Sequence, residues 1–193
     1  QSFMISIDVR KKDAIITALN IIQDKGVIIY PTDTIYGFGV DATNDEAIHR
    51  LSIIKGRSGP MSVLVPDEDT ALSWADISSK EMNLVKSKLT GYSTIIYPIK
   101  DGIVSHKILG MDHTLGVRIP QNNFCNQLAK FSTSPITTTS VNRHGNTALN
   151  EPARILAEFG KEIDLFVNGG NLEGNKESSI FKLEHGKLVQ LRG

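Results

Sequence analysis

Residues 26–65 read GVIIYPTDTIYGFGVDATNDEAIHRLSIIKGRSGPMSVLV, and this stretch decides the fold. An apolar run at residues 27–30 ends in a cluster of hydroxyl groups and one carboxylate. A helical pattern then leads to Lys55-Gly56-Arg57, and a second apolar run follows at residues 61–65. The order strand, polar loop, helix, cationic loop, strand is typical of α/β proteins, in which polar loops that leave buried strands hold ligands.

The composition is that of a globular domain, because 40% of the 193 residues are hydrophobic and 22% are charged. The 21 basic residues balance the 21 acidic ones, which argues against a protein that coats nucleic acid but allows a local basic pocket. The one cysteine, Cys125, excludes an intramolecular disulfide and a Cys-rich zinc site, and we expect it to be buried. The sequence shows no membrane-spanning run and no signal-peptide pattern, so we expect a cytoplasmic protein without a membrane partner.

Strand-like and helix-like segments alternate along the chain. The predicted strands are residues 3–9, 27–30, 61–65, 94–97, 115–119, 136–141 and 165–167, with a hairpin of 179–183 and 188–191. The predicted helices are residues 13–25, 45–55, 68–74, 79–89, 122–131 and 151–159. This order predicts one α/β domain over residues 1–193, with an open, twisted mixed β-sheet flanked by helices.

Two cations, Lys55 and Arg57, lie two residues apart beside glycines. In an extended loop this spacing points both side chains the same way. Two converging cations suit a polyphosphate, since arginine offers a fork of donors and lysine a point charge. The alternative is a basic turn that is merely solvated.

Arg118 lies between Val117 and Ile119 in an otherwise apolar strand. A guanidinium cannot face an apolar core without a partner, so it either meets an anion in a cleft or points to solvent. A ligand carboxylate would suit it, and an internal Asp or Glu is the alternative partner.

Ser140 and Asn142 lie two apart at the end of a predicted strand and should project to the same side, toward a ligand or into the turn. The usual catalytic templates are absent: the sequence has no G-x-x-x-x-G-K-[ST], no G-x-S-x-G and no H-E-x-x-H. The five histidines form no metal-ligand spacing.

Six groups of short motifs, in order and at compatible spacing, resemble the YrdC family, the threonylcarbamoyl-AMP synthases. Each group alone is a weak signal, but the set is specific. They are PTDTIYGFG at 31–39, KGR at 55–57 with PMSVLV at 60–65, GVRIP at 116–120, SVN at 140–142, GG at 169–170 with ESSI at 177–180, and LRG at 191–193.

The resemblance implies a single YrdC/RibB-like α/β domain around a concave positive cleft. It implies a nucleotidyltransferase that makes threonylcarbamoyl-adenylate and pyrophosphate from L-threonine, bicarbonate and ATP. The product would pass to separate machinery that modifies tRNA. Mg²⁺ would be carried with ATP, so no protein metal ligand is expected. The chain resembles the short, single-domain members of the family.

The resemblance also implies roles for individual residues. The residues assigned to L-threonine are Thr32, Arg118 and Ser178. The residues assigned to ATP are Lys55, Arg57, Thr114, Ser140, Asn142 and Arg192, with Ser140 a candidate for both ligands. Lys55 and Arg57 are the expected catalytic residues.

The sequence departs from the family pattern in two places. Only Ser58 and Gly59 separate Arg57 from the following proline, and residues 142–147 replace the family's N-S-G-x-x-S-P-T run. Two other interpretations stay open. One is a non-catalytic YrdC-like protein that binds double-stranded RNA or tRNA through backbone contacts. The other is a related hydrolase or carbamoyl-transfer domain.

Overall fold

Strands and helices alternate along residues 3–89 and 91–193, which are the residues that the computed structural model describes. The strands are β1 (Ile5–Asp8), β2 (Ile28–Tyr30), β3 (Gly37–Gly39), β4 (Val63–Leu64), β5 (Ser93–Pro98), β6 (Thr114–Arg118), β7 (Ile136–Thr137), β8 (Thr139–Ser140), β9 (Leu165–Asn168), β10 (Ser179–Glu184) and β11 (Lys187–Arg192). The helices are α1 (Ala14–Gln23), α2 (Asp45–Lys55), α3 (Glu68–Ser73), α4 (Ser79–Lys88), α5 (Asn123–Phe131) and α6 (Pro152–Phe159).

The strands form two mixed sheets, where the sequence predicted one. The first sheet has the order β1-β9-β2-β3-β8 and the second has the order β11-β10-β5-β6-β4-β7. Strand β1 lies at an edge of its sheet, and β2 lies inside the same sheet. Helices flank both sheets, so the α/β class is confirmed and the number of sheets is corrected.

The prediction of one strand over residues 136–141 is wrong, because this segment forms two short strands that belong to different sheets. β7 pairs with β4 in the second sheet, whereas β8 pairs with β3 in the first. Thr138 lies between them, and its N–H donates to the Ser62 carbonyl at 2.8 Å. A continuous Thr-rich run carries no local sign of this change of sheet. Its consequence is that one segment joins the two sheets.

Strand β3 was not predicted, because its first and last residues are glycines and glycine is depleted in strands. The structure explains Gly39 by close packing: a Cβ there would lie 2.7 Å from Cε1 of Tyr30 on the paired strand β2. Tyr30 is fully buried, and its hydroxyl donates to the Thr137 carbonyl at 2.8 Å. The glycine therefore makes room for the ring that links β2 to β7.

Polar side chains cap the first turns of two helices. The Asn44 side chain accepts from the Ala47 N–H at 2.9 Å, and Asn122 does the same for Cys125 at 2.8 Å. Helix α1 ends before Gly26 as predicted, but the left-handed residue is Lys25, with φ of 65°. Gly26 is instead required because a Cβ would approach the Ile21 carbonyl oxygen to 2.7 Å.

The core lies on both faces of strand β2. Val27 and Ile29 belong to the larger hydrophobic cluster, whereas Ile28 and Tyr30 belong to the smaller one under α1 and α5. Cys125 is fully buried in the smaller cluster, as expected. None of the helices within the described ranges has the length and apolar character needed to cross a membrane.

Candidate functional site

A cavity of about 440 Å³ is lined by residues of both sheets. Its wall includes the 34–37 segment, which leads into β3, together with residues of β5, β6, β8, β10 and β11. Six of the predicted site residues line this cavity: Arg57, Thr114, Arg118, Ser140, Ser178 and Arg192. Three others, Thr32, Lys55 and Asn142, are not part of the wall but contact residues that are.

Arg118 lies on β6 with its side chain only 4% exposed, and it forms an ion pair with Asp33. Its Nη2 donates to Asp33 Oδ1 at 2.5 Å. Two atoms of the pair, Arg118 Nε and Asp33 Oδ2, are buried without a hydrogen-bond partner. The internal carboxylate considered from the sequence is therefore present. Arg118 nevertheless lines the cavity, so its guanidinium also lies beside the space in which a ligand would bind.

Thr32 shapes the turn that carries Asp33. Its hydroxyl donates to the Ile35 carbonyl at 2.6 Å and accepts from the Thr34 N–H at 3.0 Å. Arg118 Nη1 also lies 3.4 Å from this hydroxyl. The polar run after β2 thus supplies both the carboxylate and the hydroxyl that hold the buried arginine.

Lys55 is the last residue of α2, so the prediction that it shares an extended loop with Arg57 is wrong. Gly56 turns the chain with φ of 74°, after which Arg57 reaches the cavity and donates to the Pro60 carbonyl at 3.2 Å. The Lys55 ammonium instead donates to the Ser140 carbonyl and, at 3.2 Å, to Asn142 Oδ1. Burial, with a smaller contribution from the charge of Arg57, lowers the pKa of Lys55 to about 8.

Ser140 and Asn142 face each other, as their spacing predicted. The Ser140 hydroxyl donates to Asn142 Oδ1 at 2.6 Å, and the Asn142 amide donates to the Arg143 carbonyl at 2.9 Å. Lys55, Ser140 and Asn142 therefore form one polar cluster behind the cavity wall, and Ser140 is its member on the cavity side.

Arg192 contacts the loop that precedes β10 and holds it in place. Its Nε donates to the Ser178 carbonyl at 2.9 Å, and its Nη1 lies 2.6 Å from Glu177 Oε2. The Ser178 hydroxyl lies 2.8 Å from the Thr94 hydroxyl on β5. The Thr114 hydroxyl, which also lines the cavity, donates to the Met111 carbonyl at 2.9 Å.

Several residues of the site were not predicted from the sequence. Asp33 was noted only as part of a polar run, and its pairing with Arg118 joins positions 85 residues apart. Asn150 received no predicted role, yet its Oδ1 accepts from the Tyr36 N–H at 3.0 Å and fixes the segment that lines the cavity. Lys182 adds another cation to the wall. The sequence indicated these residues only by their polar character. Contacts between residues that lie so far apart along the chain leave no local sequence pattern.

Comparison with known proteins adds three findings. A model of the Sua5/YciO/YrdC family, described as "Telomere recombination", matches residues 20–193. A Methanocaldococcus jannaschii protein named "Putative threonylcarbamoyl-AMP synthase" is 31% identical over 168 residues, covering 86% of this chain and 78% of that protein. The E. coli YciO crystal structure superposes with a TM-score of 0.83 at 25% identity, over 100% of this chain and 94% of YciO.

The crystal structure of P. abyssi Sua5 complexed with L-threonine is also similar, with a TM-score of 0.85 and 25% identity. The match covers 98% of this chain but 57% of Sua5, so the chain spans little more than half the length of that relative. The expected fold is therefore confirmed by similar solved structures.

Proposed function

The chain belongs to the Sua5/YciO/YrdC family, and on this premise we propose that it makes threonylcarbamoyl-adenylate and pyrophosphate from L-threonine, bicarbonate and ATP. The observation that carries the proposal is the convergence of Arg57, Arg118 and Arg192 on one 440 Å³ cavity. Its volume is within the usual range for small-molecule sites. Three arginines suit substrates that bring a carboxylate and a triphosphate.

L-Threonine would occupy the part of the cavity near Arg118. The guanidinium would pair with the amino-acid carboxylate, and its place in the cavity wall supports this role. Thr32 contacts the same guanidinium, and Ser178 offers a hydroxyl for the polar groups of the amino acid. The threonine complex of the relative P. abyssi Sua5 supports the choice of ligand.

ATP would bind toward Arg57, Thr114, Ser140 and Arg192, with Lys55 and Asn142 behind Ser140. Mg²⁺ fits this site only as a companion of ATP. Among the described residues that line the cavity, Glu177 supplies the one carboxylate, and Arg192 already pairs with it. The phosphates and water would therefore hold the ion, which when bound would neutralise part of the phosphate charge.

The chemistry requires two steps and no covalent enzyme intermediate. The amine of threonine adds to CO2 with loss of a proton, or to bicarbonate with loss of water, and forms a carbamate. A carbamate oxygen then attacks the α-phosphorus of ATP, the bond to the bridging oxygen breaks, and pyrophosphate leaves. The residues of the chain would align the two substrates and neutralise the charge that develops, with Arg57 facing the phosphates and Lys55 adding its charge from behind Ser140. The adenylate would then pass to separate machinery that modifies tRNA.

Pyrophosphate release from ATP tests this proposal. The expected result is release that needs both L-threonine and bicarbonate, with L-serine as the control amino acid. Arg57→Gln should lower kcat/KM for ATP by roughly 10- to 100-fold, since one charged contact contributes about 1.5–3 kcal/mol. The matched control is Arg10→Gln, because Arg10 is an exposed arginine that pairs with Asp8 and does not line the cavity.

The alternatives predict different results in the same assay. Folded protein that releases no pyrophosphate in the presence of threonine, but binds tRNA with a steep salt dependence, would support the RNA-binding interpretation. Pyrophosphate release at the same rate with and without threonine would contradict the assignment of the amino-acid site.

A further inference from the structure

We propose that Asp101, His106 and His113 form a binding site for a divalent transition-metal ion of the Zn²⁺ type. One ligand atom from each residue lies within 4.8 Å of the other two. Both imidazoles approach the same carboxylate oxygen, Asp101 Oδ1, with His113 Nε2 at 3.1 Å and His106 Nε2 at 3.9 Å. The intervals of five and seven residues match no usual metal motif, which is why no histidine was singled out from the sequence.

The distances suit a tetrahedral ion. Zn²⁺ binds nitrogen and oxygen at roughly 2.0–2.2 Å, which places neighbouring ligand atoms roughly 3.3–3.5 Å apart. The observed separations lie on both sides of this range, so small side-chain rotations would bring the three atoms around one ion. Two imidazoles and one carboxylate favour Zn²⁺, Co²⁺ or Ni²⁺ over Mg²⁺, which prefers oxygen ligands.

The backbone already holds the three residues together. The Ile99 N–H donates to the His113 carbonyl at 3.1 Å, which joins His113 to the segment that carries Asp101. His113 has φ of 58°, a conformation that residues other than glycine rarely adopt. His106 begins a short 3₁₀ turn, His106–Ile108, and the preceding Ser105 donates its N–H to the Ala42 carbonyl at 2.9 Å. Because the backbone that carries the ligands is held in this way, binding of an ion would mainly order the side chains.

The cluster is accessible and lies outside the cavity wall. The side chains of Asp101, His106 and His113 are 87%, 77% and 32% exposed, so an ion can enter and water can complete its coordination. His113 immediately precedes Thr114, and Met111 and Thr114 line the cavity. A bound ion would therefore fix the segment between β5 and β6 that forms one edge of the proposed substrate site.

Metal titration of the untagged full chain tests the site, after chelator treatment and without ATP or threonine. Calorimetry with Zn²⁺ should show one ion per chain, and Co²⁺ should give visible absorption bands of a site with nitrogen ligands. His113→Asn should weaken Zn²⁺ binding at least about tenfold, which is the minimum expected when a ligand is lost. Asparagine is chosen because it tolerates the positive φ at this position.

Two further variants make the test decisive. His106→Gln changes an exposed side chain and should weaken binding to a similar extent in a folded protein. His49→Gln removes an exposed histidine of α2 outside the cluster and should leave affinity unchanged. The proposal is overturned if His113→Asn and His106→Gln both bind Zn²⁺ as the unmodified chain does, if no ion binds, or if millimolar Mg²⁺ displaces the ion. Because no substrate is present, these results do not depend on the proposed function.

Discussion

The Lys55 side chain is buried, and it belongs to a polar cluster that contacts the cavity wall. Its ammonium contacts Ser140 and Asn142 and lies 5.3 Å from the centre of the Phe38 ring. Burial lowers its pKa from 10.5 to about 8, so its charge is lost as the pH rises through that value. If the Lys55 charge attracts the phosphates, the affinity for ATP depends on pH near the pKa of Lys55. Arginine side chains keep their charge in this pH range, so they would not cause such a dependence.

The first prediction follows from this pKa. Affinity for a non-hydrolysable ATP analogue should be highest below pH 8 and fall by up to about fivefold between pH 8 and pH 9. Lys55→Arg should remove this decline, because a guanidinium keeps its charge throughout the range. Calorimetric titration from pH 7 to pH 9.5 measures both proteins. A parallel decline in the two would show that another group is responsible.

The second prediction concerns the buried pair of Asp33 and Arg118, whose side chains are 5% and 4% exposed. Asp33→Asn keeps the shape of the side chain but leaves a buried guanidinium without its counter-charge. We expect the free energy of unfolding to fall by about 3 kcal/mol, measured by urea denaturation.

The matched control is the exposed pair of Asp8 and Arg10. Asp8→Asn should leave the free energy of unfolding nearly unchanged, because solvent screens an exposed pair. Equal effects of the two substitutions would mean that burial does not strengthen the Asp33 contact.

At the scale of secondary-structure elements, the sequence predicted most helices and strands to within two residues. Capping side chains such as Asn44 and Asn122 act locally, so their effect can be recognised in a single sequence. Strand β3 and the division between β7 and β8 were missed because they depend on packing and pairing between distant segments. The same limit applies to the site, where the polar residues were visible but the partnership of Lys55 with Ser140 was not.

The third prediction concerns the hairpin that joins β10 to β11. Both residues of its turn have positive φ, 50° at His185 and 75° at Gly186, which is the conformation that Asn-Gly prefers. His185→Asn should raise the free energy of unfolding by roughly 0.5 kcal/mol, a part of the usual penalty for a left-handed residue. His185→Val should lower it, and thermal denaturation compares the two. A more stable valine variant would contradict the account of this turn.

At the scale of the whole molecule, the cavity depends on the meeting of two sheets. The segment that contains β7 and β8 belongs to both of them, and the cavity wall includes Arg118 on β6 of one sheet and Ser140 on β8 of the other. The family motifs lie far apart along the chain, yet six of the nine predicted site residues line one cavity. A resemblance based on ordered motifs could thus indicate which residues converge, whereas the number of sheets required the structure.

The central claim is that threonine, bicarbonate and ATP react with one another in a single cavity of this protein. The most direct measurement is mass spectrometry of a rapidly quenched reaction with ¹³C-labelled bicarbonate, L-threonine and ATP. We predict an adenylate with the mass of threonylcarbamoyl-adenylate, increased by one unit by the label, and absent when threonine is omitted. Folded protein that yields no adenylate, or an adenylate without the label, would contradict the account.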